Sequence, residues 1–154
     1  MHLRSLATIS FLIFGLAGAA QVTPDRPYAV LPTAGWHAAS MPFQQVDAGT
    51  YGSWHPSSSD IASLESGLSR ISDLTAVNWR SSVRIEHPRS YFRQYIGVSN
   101  KRAPRIFINA FCDDAPPNWH NRLVIVMDGG TCFWQALYDP ATKKFSDLTI
   151  NGRA

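Results

Sequence analysis

Charge is scarce in this chain: Asp, Glu, Lys and Arg make up only 16% of its 154 residues. Together with 12% aromatics, that scarcity excludes a solvated acidic or basic tail protein. The surplus of 14 Lys+Arg over 11 Asp+Glu is too small and too scattered for an electrostatic footprint on nucleic acid. Cysteine is nearly missing, with 2 residues, so a disulfide-dense miniature scaffold is excluded. There is no CxxC or HExxH, and no short-spaced histidine pair of the kind zinc needs. No internal repeat and no βαβ alternation occurs. No apolar run reaches the ~20 residues that span a bilayer.

The longest apolar run, Leu6–Leu16, lies instead inside a secretory pattern over residues 1–20. Arg4 supplies a positive start, and Ala17, Gly18, Ala19 and Ala20 are small residues suited to a signal peptidase. Cleavage after Ala19 or Ala20 is expected, giving a periplasmic or secreted protein with no membrane anchor. Loss of residues 1–20 removes one arginine and lowers the net charge from +3 to +2. Export favours a disulfide between Cys112 and Cys132, since oxidising compartments favour bridging an isolated pair. Two free thiols remain the alternative.

Residues 21–58 read as an irregular arm. They hold Pro24, Pro27, Pro32, Pro42 and Pro56, and they are punctuated by Tyr28, Trp36, Phe43, Tyr51 and Trp54. Residues 59–154 read as a helix-plus-sheet domain. Asp60, following three serines, suits a helix start, where its charge meets the positive end of the helix dipole. Ile61, Leu64, Leu68, Ile71 and Leu74 then recur at helical spacing, so the helix is expected to end near Leu74 or Val77. Alternating patterns predict five strands over 90–98, 105–112, 122–128, 131–138 and 144–150, with turn chemistry between them. Asp128-Gly129-Gly130 is a tight-turn signal, not a phosphate loop. The expected fold is therefore α+β: one helix packed on a five-stranded antiparallel meander, preceded by the Pro/aromatic arm. In a plain meander of these strands, Cys112 and Cys132 sit at opposite edges, in tension with a bridge.

Alternation assigns Phe92, Ile96, Ile106, Ile108, Ala110, Trp134, Ala136, Leu148 and Ile150 to the face under the helix. The other face carries Tyr91, Arg93, Tyr95, Phe107, Asn109, Phe111, Phe133, Gln135, Phe145, Asp147 and Thr149, with Arg93, Asn109, Gln135 and Asp147 as a polar band. Such an aromatic face is covered by the arm, or binds a protein partner, or floors a ligand cleft near Arg93, Asn109 and Asp147. The candidate binding residues are Tyr91, Arg93, Tyr95, Phe107, Asn109, Phe133, Gln135, Asp147 and, in the neighbouring loop, Trp119. No catalytic set stands out. Asp113, Asp114 and His120 share a loop that reads as a solvated acidic turn, and no metal or other cofactor is expected.

The stretches INAFC, MDGGTCFW and YDPATKKFSDLTINGRA resemble small exported bacterial proteins of uncharacterised function. Those share a GG-x-C-[FYW] turn, a YD-x-x-T-x-x-F hairpin and a terminal NG-x-A. The resemblance implies export and overall shape. The helix-then-meander order is also similar to cystatin-like folds, and Gln94-Tyr95-Ile96-Gly97 resembles, one residue shorter, the inhibitor's QxVxG hairpin. The functional expectation is an exported binding protein without chemistry of its own, in its most concrete form an inhibitor or immunity-type protein, with a protein partner in the periplasm or outside the cell; the alternative is a small-ligand-binding or hydrolytic domain with a cleft near Arg93, Asn109 and Asp147.

Overall fold

A computed structural model describes residues 25–32, 54–78, 83–100 and 103–152. The signal-peptide reading, and the arm residues Trp36, Phe43 and Tyr51, fall outside the described residues. Five strands, β1 (Tyr28–Val30), β2 (Phe92–Asn100), β3 (Ala103–Phe111), β4 (Phe133–Asp139) and β5 (Lys144–Ile150), form one sheet in the order β1-β2-β3-β4-β5. Helix α1 (Ser58–Gly67) lies across one face, so the expected α+β layering holds.

Two strands differ from expectation. The arm contributes β1, which pairs in parallel with β2, Ala29 opposite Gln94, so the sheet is mixed at one edge. Residues 122–128 contribute no strand to the sheet and lie over its second face. β3 and β4 are therefore direct neighbours, with Phe111 opposite Phe133. That adjacency removes the geometric tension over the cysteines, since Cys112 and Cys132 now flank a paired position. They form a disulfide, with Cα atoms 5.0 Å apart.

Ser57 caps α1 reciprocally. Its hydroxyl accepts from the Asp60 amide at 3.2 Å, and the Asp60 carboxylate accepts from the Ser57 amide at 2.9 Å. After Gly67 the helix tightens into a 3-10 turn over Leu68–Asp73, ending a residue short of Leu74. Ile61, Leu64, Leu68 and Ile71 are buried against Ile106, Ile108, Ala110, Trp134, Ala136, Leu148 and Ile150, as the alternation predicts. Trp54 and Pro56 cross the sheet over Gly97 so closely that a Cβ there would collide with the Trp54 carbonyl.

The phase of β2 is opposite to expectation. Arg93 and Tyr95 point under the helix, while Phe92 and Ile96 face the other way. Tyr91 packs on the helix side too, edge-on to Trp134 and donating to the Thr131 carbonyl at 3.0 Å. In β5, an irregularity opposite Gln135–Leu137 places Asp147 at φ 53° and shifts the alternation. Phe145 thereby joins the helix-side core, and Asp147 is exposed.

Candidate functional site

The sequence-predicted binding residues divide between three places. Arg93 and Tyr95 belong to a charged cluster beneath α1. Glu65 accepts from Arg93 Nε at 3.1 Å and Nη2 at 3.3 Å, and also from the Tyr95 hydroxyl. Arg93 Nη1 donates to the carbonyls of Arg89 and Tyr91 at 2.9 and 2.7 Å, and Nη2 reaches Asp25 at 3.3 Å. A guanidinium has five N–H groups, and all five are engaged here. Burial opposes the charge of Arg93, but Tyr95 and Glu65 more than offset it and raise its pKa. Burial, then the Glu65 carboxylate, pushes Tyr95 well above the ordinary tyrosine range. Arg89 Nη2 meanwhile donates to the Glu65 carbonyl near the end of α1. This cluster fastens the helix to the sheet and leaves no donor of Arg93 for a ligand.

Phe107, Asn109, Phe133 and Gln135 lie on the opposite face, as predicted, and all are buried. The cover is supplied chiefly by the loop 113–131, and only secondarily by the arm, through Ala29 and Leu31. Trp119, 5% exposed, is the loop's anchor. Its ring packs against Phe92 and Phe111 at 5.4 and 6.0 Å between centroids. Arg26 lies over the outer side of Phe92.

A row of carboxamides joins loop to sheet. Register places Gln94, Asn109, Gln135 and Thr149 side by side on β2 to β5, and Asn151 continues the row. Gln94 donates to the carbonyls of Trp119 and Arg122 at 2.5 and 2.7 Å, and accepts from the Val124 amide at 2.9 Å. Asn109 donates to Gln94 at 3.0 Å and to the Val124 carbonyl at 2.9 Å. Gln135 donates to Asn109 and Asn151, each at 3.3 Å, and accepts from Thr149 at 3.2 Å. Asn151 donates to the carbonyls of Val126 and Asp128 at 2.6 and 3.1 Å. Each of the four side-chain amides thus uses both of its N–H groups, and the row is occupied internally.

Asp147 stands apart on β5, and among the described residues its carboxylate accepts only from the neighbouring Ser146 hydroxyl, at 2.8 Å. A cleft joining Arg93, Asn109 and Asp147 is not formed, because the first is under the helix, the second under the loop and the third at the surface. Gln94–Gly97 lies within β2 and is buried. Cys112, Asp113 and Cys132 are the cluster of metal-ligand types among the described residues, but the disulfide occupies both sulfurs. It likewise leaves no thiolate to pair with His120.

No family model, no curated protein and no solved structure matches the chain.

Besides open hollows beside Arg93 and beside Tyr91, the outer surface of the loop remains available. Ile125 is 44% and Met127 73% exposed, both large and apolar. Beside them a groove of about 370 Å³ runs along Leu123–Val126, floored by Pro116, Pro117 and Trp119. Sequence reasoning missed Gln94 and Asn151 as members of the amide row. The signal was present in a carboxamide inside each of three successive strands, Gln94, Asn109 and Gln135, and another, Asn151, just after the last strand. It was obscured by the phase error in β2.

Proposed function

We propose that this is an exported binding protein that engages another polypeptide through the outer surface of the loop 113–131, and that the aromatic sheet face serves to hold that loop in place. The observation that carries the reading is the exposure of Ile125 and Met127 beside an apolar groove. Large apolar side chains gathered at a surface mark interaction sites more often than isolated ones do. The disulfide, and the lack of any helix long and apolar enough to cross a membrane among the described residues, are compatible with export. Residues 1–20 are on this reading a cleaved signal peptide. An inhibitor or immunity role is the most concrete form, because the amide row presents the loop on a fixed support.

The test is a photo-crosslinking side chain placed at Met127, with a control at Lys143 in the β4–β5 turn. Expected is a discrete adduct from position 127 and none from 143. No adduct at 127, or the same adducts from both positions, would overturn the reading.

A further inference from the structure

The segment Arg122–Asp128 has two edges, and only one is used. Val124 turns its N–H and carbonyl toward the amide row, and Val126 and Asp128 follow with their carbonyls. Alternate residues of an extended chain direct their backbone groups to opposite sides. Those of Leu123, Ile125 and Met127 accordingly point away from the row, and they have no hydrogen-bond partner among the described residues. The segment, irregular over 123–126 and bent at Arg122 and Met127, is thus docked by side chains on one edge and open on the other. An open edge is a template for another strand.

The chemistry of the segment identifies which strand. Arg122-Leu123-Val124-Ile125-Val126-Met127-Asp128 reads cation, five apolar residues, anion, and Ile125 is its midpoint. Set antiparallel to a second copy about a two-fold axis at Ile125, position 122 faces 128, 123 faces 127, and 125 faces itself. The three residues with open backbone groups therefore face one another and form the hydrogen-bonded pairs of the ladder. The exposed Ile125 meets its own copy, Met127 meets Leu123, and Arg122 meets Asp128 at both ends. Parallel pairing in register would set like charges together, which is destabilising.

From this pattern we infer that the protein forms a symmetric dimer by antiparallel pairing of residues 122–128 with a second copy of the chain. The inference rests on the reading of this loop as an interface, and names its partner. A two-fold contact of this kind is closed and does not propagate into fibres.

The test is sedimentation of the purified full chain, disulfide intact, as wild type, Arg122→Asp, Asp128→Arg and the double exchange. Both side chains are exposed, so folding should survive, and near-ultraviolet dichroism verifies it. Wild type is expected to dimerise, each single exchange to weaken the dimer about tenfold or more through two like-charge contacts, and the double exchange to restore it. An equimolar mixture of the two singles should form a heterodimer, because every facing pair is then opposite in charge. A wild type that stays monomeric at high concentration, or singles that the mixture does not rescue, would overturn the dimer. If the Met127 probe then captures a different polypeptide, the interaction reading stands without the dimer; a monomer with no adduct removes both.

Discussion

Arg93 is a guanidinium in the middle of a strand, with its side chain 2% exposed, and only a full set of acceptors makes that tolerable. Glu65 provides the charge balance, and its replacement by alanine leaves Arg93 with Asp25, whose carboxylate is more than half exposed. Glu65→Ala should cost about 3 kcal/mol, the low end for breaking a buried pair, read from urea unfolding. Gly97 is constrained differently: the obstruction above it is main chain, which cannot rotate aside. Gly97→Ala is expected to destabilise by about 1–3 kcal/mol through overpacking, measured the same way. At this scale the sequence was half legible. Phe-Arg-Gln-Tyr-Ile offers an aromatic or aliphatic residue in either phase of β2, so alternation alone does not decide it. The decision comes from Glu65, some thirty positions away, which makes the helix side the better place for Arg93.

Among the elements, α1 and β3 to β5 follow from periodicity and turn residues, and the apolar stripe of α1 meets the β3 and β4 residues assigned to it. The segment 122–128 shows where periodicity stops informing. A run of alternating Val and Ile has the pattern of a sheet strand whether its partner is another backbone or a row of side-chain amides. The loop's hold is testable. Asn109→Ala removes the bonds to Gln94 and Val124 and leaves Gln135 with a donor to satisfy. We expect a loss of about 1–3 kcal/mol and faster exchange of the Val124 amide, with the β2–β3 ladder still protected in hydrogen-exchange measurements. The disulfide closes a span with a sequence separation of 20 residues around this loop. Reduction should lower stability by roughly 3 kcal/mol on a chain-entropy basis, and the loop amides should exchange before those of the sheet.

For the molecule as a whole, stability at alkaline pH is tied to Tyr95. Its folded-state pKa is raised well above 10.0, by burial first and by Glu65 second. Tyr91 is raised as well, by burial and then Glu86. Below the unfolded value near 10 both states keep these protons, and the full contribution to stability is present. As pH rises beyond it, the unfolded chain releases protons that the folded chain retains, so stability falls. Tyr95→Phe should flatten that decline by up to about 1.4 kcal/mol per pH unit, in urea titrations at successive pH values. The overall α+β layout was readable from element order. The mixed edge was not, because a three-residue strand flanked by Pro27 and Pro32 carries too little pattern to separate it from an arm.

The amide row grips main chain. Gln94, Asn109 and Asn151 hold carbonyls and an N–H that every non-proline residue possesses, whatever side chain it carries. Positions 125 and 127, exposed and untouched by those carboxamides, are free to take other side chains without loosening the clamp, whereas Leu123 packs against the core beneath. The sheet behaves in this respect like a holder with an interchangeable insert: its lettering can be rewritten while the mount, the bridge at Cys112 and Cys132, and the helix behind them stay as they are. Loops from other sources, if extended and of matching length, are candidates for grafting onto the same row.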